Sequence, residues 1–97
     1  MNTVQGAFDF LVGYITQHGG IYSQWYAGIA ANPKNRLFSG HGLTEQGVWA
    51  FDFVPTSEQA RQVEQALFKR GCDGGSGGGD ATSNGIYVYG KTSATRE

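Results

Sequence analysis

Two charged residues in this chain raise the question of chemistry: an arginine that could equally decorate a surface helix, and a glutamate that a solvated surface does not explain. The stretch from Tyr26 to Arg36 reads YAGIAANPKNR, an apolar run that passes through Gly28 and an Asn-Pro turn and then delivers an arginine. The second residue is Glu64, in SEQARQVEQALFKR. Ala60, Val63 and Leu67 make the apolar stripe of that helix, and Glu64 falls inside it, about 40° from Ala60 and about 60° from Leu67 at a helical pitch. A carboxylate aimed at a core edge needs a cation, a hydrogen-bond donor or a metal, or else it holds its proton. Arg36 is one candidate partner for it, through a salt bridge at the rim of the stripe.

The elements that position these residues follow from the pattern. Val4, Phe8, Leu11 and Ile15 share one helical face over residues 3–17, with Asn2 or Thr3 as cap and Gly19-Gly20 as stop. QWYAGIA (24–30) reads as a strand, and Asn32 caps a short helix that begins at Pro33 and runs to about residue 39. VWAFDFV (48–54) is a second strand, with Asp52 its polar exception. Pro55-Thr56-Ser57-Glu58 opens a helix to Arg70, where Lys69 and Arg70 suit the negative end of the dipole and Gly71 ends it. GIYVYGK (85–91) is the last strand, and residues 92–97 are a polar, frayed tail. The order helix, strand, short helix, strand, helix, strand predicts an α+β fold, a small three-stranded sheet packed with two to three helices.

Composition bounds what this fold is for. Ninety-seven residues make one domain, 1–97, rich in aromatics and poor in charge. A net charge of −1 argues against a protein that coats nucleic acid, although Lys34 with Arg36, and Lys69 with Arg70, leave room for local basic patches. The single cysteine, Cys72, excludes an intramolecular disulfide and a cysteine metal cluster. No run approaches the ~18 apolar residues of a membrane span, and MNTVQGAFDF has neither the basic start nor the cleavage site of a leader. The expectation is a soluble, cytoplasmic protein with no membrane partner.

WYAGIAANPKNRL resembles the second half of the GIY-YIG nuclease domain, and the likeness covers about residues 25–70. In that family a Tyr-x-Gly strand end precedes a helix with an arginine, matched here by Tyr26, Gly28 and Arg36. A histidine often follows the arginine by a helical turn; His41 is one residue later, beyond a glycine. A later helix of the family supplies a metal-binding glutamate, which the resemblance places at Glu64, the residue already singled out by periodicity. The family's opening Gly-Ile-Tyr strand is displaced or missing: Gly20-Ile21-Tyr22 lies too close to Tyr26 to pair with it, whereas a second copy, Gly85-Ile86-Tyr87, opens the last strand. One reading is that this strand pairs beside residues 25–30 and supplies Tyr87 to the site.

The resemblance implies phosphodiester hydrolysis. Tyr26, Arg36, His41 and Tyr87 would be the catalytic side chains, with Mg²⁺ or Mn²⁺ at Glu64 and nucleic acid as substrate. The other reading is a non-catalytic module of the same fold, needing no metal and holding a nucleotide, a nucleic acid or a protein ligand, as an accessory protein of a phage or mobile element would.

Other features have plainer readings. The glycine-rich GCDGGSGGGD (71–80) follows a helix and lacks a P-loop lysine, so it reads first as a flexible connector. Its backbone amides with Gly28, Asp73 and Asp80 form a second, weaker candidate for a ligand-binding loop. His18 suits a helix end, and Cys72 has nothing to mark it as a nucleophile. Trp25, Trp49, Phe51 and Phe53 could stack bases, but strand aromatics in so small a domain belong first to the core.

Overall fold

Periodic burial makes the first segment a helix. In the computed structural model, which describes residues 1–42, 47–75 and 81–92, α1 spans Val4–Gln17, and the Thr3 side chain caps it by accepting from the Gly6 N–H. Ala7, Leu11 and Ile15 are sealed from solvent, while Val4, Phe8 and Val12 flank them. A turn of 3-10 helix over Tyr22–Gln24, which the sequence pattern did not suggest, leads into β1, Trp25–Ala30.

Asn32 and Pro33 start a helix as expected. The Asn32 side chain accepts from the Asn35 N–H at 3.1 Å, and α2 proper covers Pro33–Asn35. The chain then widens into a π turn over Arg36–Gly40, with the His41 N–H reaching back to the Arg36 carbonyl at 2.9 Å. The expected single helix to residue 39 is thus right in place but not in pitch. One extra residue in the turn rotates His41 off the solvent side; such π turns recur at functional sites.

β2 is Trp49–Phe53, α3 is Ser57–Arg70 and β3 is Gly85–Gly90. Thr56 caps α3 by accepting from the Gln59 N–H, and Gly71 ends it with φ 118°, a left-handed conformation that glycine adopts without a Cβ clash. The three strands form one antiparallel sheet in the order β1-β3-β2, so the fold is the α+β arrangement expected. β3, last in chain order, sits in the middle. Its register aligns Tyr89 with Tyr26 and Trp49, and Tyr87 with Gly28 and Phe51.

Strand alternation gives the sheet two different faces. Ala27, Ile29, Ala50, Ile86 and Val88 join Leu11 and Ile15 of α1 and Val63 and Leu67 of α3 in the main core. Asp52 also lies on this side, where its Oδ2 accepts from the Asn2 side chain at 2.9 Å, just ahead of α1. On the opposite face Tyr26, Ala30, Tyr87 and Tyr89 pack with Leu37 of the π turn, flanked by Phe38, Trp49 and Phe51. Trp25 is core, as expected, but Trp49, Phe51 and Phe53 are only half-buried.

The start of the glycine-rich segment is more than a connector. Asp73 donates its N–H to the Trp25 carbonyl and accepts from the Ala27 N–H, both at 2.8 Å, forming a parallel bridge on the outer edge of β1. Residues 76–80 of that segment, with Asp80, and 93–97 of the tail lie outside the described residues. Among the described residues, no helix is long and apolar enough to cross a membrane.

Leu67 is sealed between α3 and the sheet. Leu67→Ala should lower the unfolding free energy in urea by about 2–5 kcal/mol without changing the far-ultraviolet spectrum of the folded state.

Candidate functional site

The site is built around the hydroxyl of Tyr87, and β1 contributes to it by what it lacks. Tyr87 stands on central β3 directly opposite Gly28, and a methyl group at position 28 would overlap the Tyr87 hydroxyl and the ring carbon that carries it. With hydrogen in that place, the ring lies across the neighbouring strand. The phenol is 1% exposed, and burial pushes its pKa up, opposed by the charge and hydrogen-bond donor of Arg36 and reinforced by Tyr26 and Glu64. Three side chains from three other elements, Arg36, Tyr26 and Glu64, thus bear electrostatically on the Tyr87 phenol, Glu64 the least. The Gly-Ile-Tyr strand does pair beside residues 25–30, as one reading of the sequence expected.

His41 closes the buried side. Its Nε2 lies 2.8 Å from the Tyr87 hydroxyl and its Nδ1 lies 3.2 Å from the Tyr89 hydroxyl. The imidazole is 4% exposed, packed 4.9 Å from the Tyr26 ring, which in turn stacks on Tyr89 at 5.2 Å. A neutral imidazole donates from one nitrogen and accepts at the other, so it can link two phenols in one direction of proton flow. Tyr89 escaped the sequence reading. The alternation Tyr87, Val88, Tyr89 was the available signal, since it puts both phenols on one face.

Arg36 and Glu64 arrive from opposite sides. Arg36 leaves the π turn and stays solvent-exposed. Glu64 is 5% exposed on α3; burial raises its carboxyl above the ordinary 4.5, and Arg61 pulls it partly back. The salt bridge that was one candidate reading for Glu64 and Arg36 is not formed among the described residues, where Lys91 pairs with Asp73 at 3.1 Å. Arg36 bears on the Tyr87 phenol, whose pKa it lowers. Among the described residues Gln59 Oε1 is the fully buried side-chain polar atom left without a partner, so the Glu64 oxygens, which have no hydrogen bond there either, keep a face toward solvent.

The remaining candidates divide. Gly28 belongs to the site through its missing side chain rather than a ligand loop. Asp73 flanks Tyr26 through the backbone, but its carboxylate holds Lys91 and the Gly74 N–H. The Gly75 N–H donates to the Tyr26 hydroxyl at 3.0 Å, which ties the described start of the glycine-rich segment to the site. His18 bonds the Tyr14 carbonyl at the end of α1, and Cys72 is buried with its thiol pushed up to about 11, as an inert cysteine would be. Among the described residues no three His, Cys, Asp or Glu side chains cluster to hold a metal. Comparison of the chain with protein-family models, with curated proteins and with solved structures finds no match.

Two outcomes follow from this geometry. Gly28→Ala should displace the Tyr87 ring and lower stability by about 1–3 kcal/mol, the usual cost of overpacking, measurable by urea unfolding. Because the Glu64 pKa is higher folded than unfolded, its favourable contribution is complete below 4.5 and is lost as pH rises through the folded value. In chelator, Glu64→Gln should flatten the decline in melting temperature above pH 4.5 and leave the variant the more stable protein at pH 7.

Proposed function

We propose that this chain is a rearranged relative of the GIY-YIG nucleases, with the Gly-Ile-Tyr strand placed last, and that it cleaves nucleic-acid phosphodiesters. The observation that carries this reading is the Tyr87 hydroxyl lying over a glycine gap and bonded to His41, with Arg36, Tyr26 and Glu64 bearing on it electrostatically. The strand carrying Tyr87 is antiparallel to the one carrying Tyr26 and Gly28, and such a pairing does not depend on the order in which the strands are joined.

Arg36, exposed and cationic, binds the phosphate and stabilises the charge that accumulates as the new oxygen bond forms. The Tyr87 hydroxyl, shut off from solvent and kept protonated by burial, is linked to His41 Nε2 at 2.8 Å and steadies Arg36, whose exposed guanidinium meets the phosphate and the attacking water. Tyr26 fixes the imidazole from its face.

A single carboxylate fits Mg²⁺ or Mn²⁺ better than zinc. Magnesium keeps several waters and binds through one or two carboxylates together with substrate phosphates, whereas zinc wants several nitrogen or sulfur ligands. Glu64, mostly buried yet unpaired, is the residue that would hold the ion. The bound cation supplies Lewis-acid stabilisation of the phosphate and its leaving oxygen.

The low charge, −1 overall, favours weak intrinsic affinity for nucleic acid and a partner that delivers the substrate. It equally suits the second reading, a binding module without cleavage. Incubation with supercoiled and single-stranded DNA in Mn²⁺ decides between them. Nicking or cleavage should vanish with chelator and in Glu64→Gln, and fall about 10²–10³-fold in Arg36→Ala. Retained cleavage in Glu64→Gln, or none in the unaltered protein, would remove the catalytic assignment.

A further inference from the structure

Helix α1 carries a second stripe on the side turned away from the core. Gly6, Phe10, Gly13 and Gln17 follow one another at spacings of four, three and four. They share one face, about 130° round the helix from the buried Ala7, Leu11 and Ile15. Phe10 is 49% exposed. Beside its ring the surface dips into a hollow of about 280 Å³, lined by Asp9, Phe10, Gly13, Tyr14 and Gln17; a cavity of about 150 Å³ already accepts a benzene ring. We propose that two copies of the chain pair through this face, with their α1 helices antiparallel about a two-fold axis and the Phe10 ring of each copy seated over Gly13 of the other. The pairing does not rest on the nuclease reading, since α1 packs on the face of the sheet opposite Tyr87.

Gly13 is what a single copy does not explain. Gly28 makes room for Tyr87, Gly85 makes room for Pro33, and Gly71 takes a left-handed turn. Gly13 has no positive φ, and a Cβ there would meet nothing within 4 Å. Alanine would fit and would strengthen the helix, whose interior glycine weakens. What the glycine leaves is a gap that a group from outside the chain can enter. The pattern names that group. An antiparallel pair centred between Leu11 and Val12 matches Phe10 with Gly13 and Gly6 with Gln17, so large faces small along the whole stripe. A partner of another sequence would need a knob or a hole; only a second copy requires both, placed symmetrically about one point. Charge agrees with the match. Asp9 is the one charged residue in the 14 of α1, and in this register the two Asp9 carboxylates are displaced from each other by about 7.5 Å of helical rise. Each already accepts from Gln5 of its own chain at 2.8 Å. A single helix crossing is a small interface, so the dimer is weak and depends on concentration.

Sedimentation equilibrium of the full chain over a rising concentration series tests this. The mass should climb from 10.4 kDa toward twice that value. Gly13→Phe, which fills each hollow, and Phe10→Gly, which removes each knob, should each weaken the dimer at least about tenfold. The double variant Phe10→Gly with Gly13→Phe exchanges knob and hole under the same two-fold axis and should bring the dimer back. Circular dichroism checks that every variant is folded, and Gly13→Phe raises helix propensity over glycine, so its loss of dimer is not loss of helix. A mass that stays at 10.4 kDa at millimolar concentration overturns the pairing and leaves the hollow to a different partner. A dimer that persists in both single variants places the contact elsewhere and overturns it too. So does a folded double variant that stays monomeric, because the exchange must rescue an antiparallel pair of identical faces.

Discussion

The site depends on one missing side chain. Tyr87 can place its hydroxyl beyond its own strand only because position 28 of the adjacent strand carries no Cβ. An antiparallel pair fixes which residues face each other, and a slip of one residue would move Tyr87 to the helix-packed face. Register, glycine and phenol are therefore one constraint. Once it is met, the hydroxyl lies within hydrogen-bond reach of His41 at the end of the π turn and feels the charge of Arg36 and, more weakly, of Glu64. No loop has to be held open to assemble the cluster, because each member is fixed by a strand, a helix or a capped turn.

The same arrangement explains why buried polar groups are tolerated in so small a domain. A phenol and an imidazole sealed from water would each cost free energy if left unpaired. Here His41 links Tyr87 and Tyr89, and the rings of Tyr26 and Tyr89 stack, so the polar atoms satisfy one another inside an aromatic layer. Glu64 is the exception: burial raises its carboxyl and Arg61, three residues before it, offsets this only in part. Burial disfavours the ionised form of this carboxyl, which a nearby cation would favour.

Much of this was legible in the chain and some was not. The helices announced themselves through caps and stripes, Thr56 and Gly71 being the clearest, and Glu64 betrayed itself by lying inside a stripe. Sequence periodicity could not show that Arg36 forms no ion pair with Glu64 among the described residues and bears on Tyr87 instead. That choice depends on the π turn, and one extra residue in a helical turn leaves no mark on the apolar spacing. Tyr89 was missed because an aromatic on a short strand reads as core, which it is; its partnership with His41 depends on a histidine that lies forty-eight positions away. The edge pairing of Asp73 on β1 was hidden for a related reason, since a glycine-rich segment has no side-chain alternation with which to declare a strand.

Chain order gives the fold its last consequence. β3 is the central strand but follows both of its neighbours in sequence, so neither the Tyr26 strand nor the Trp49 strand has a partner in the sheet until it arrives. Closing such long-range pairs costs loop entropy before any contact repays it, which makes this step a natural late event in folding. Tyr87 and Tyr89 ride on that strand, and with them come the hydrogen bonds of His41 and the group that Arg36 addresses. α3 packs against β1 directly, so what insertion adds to the cluster is the two phenols and the hydrogen bonds they make with His41. Site and sheet are thus completed by the same event, and a chain that lacks the one lacks the other.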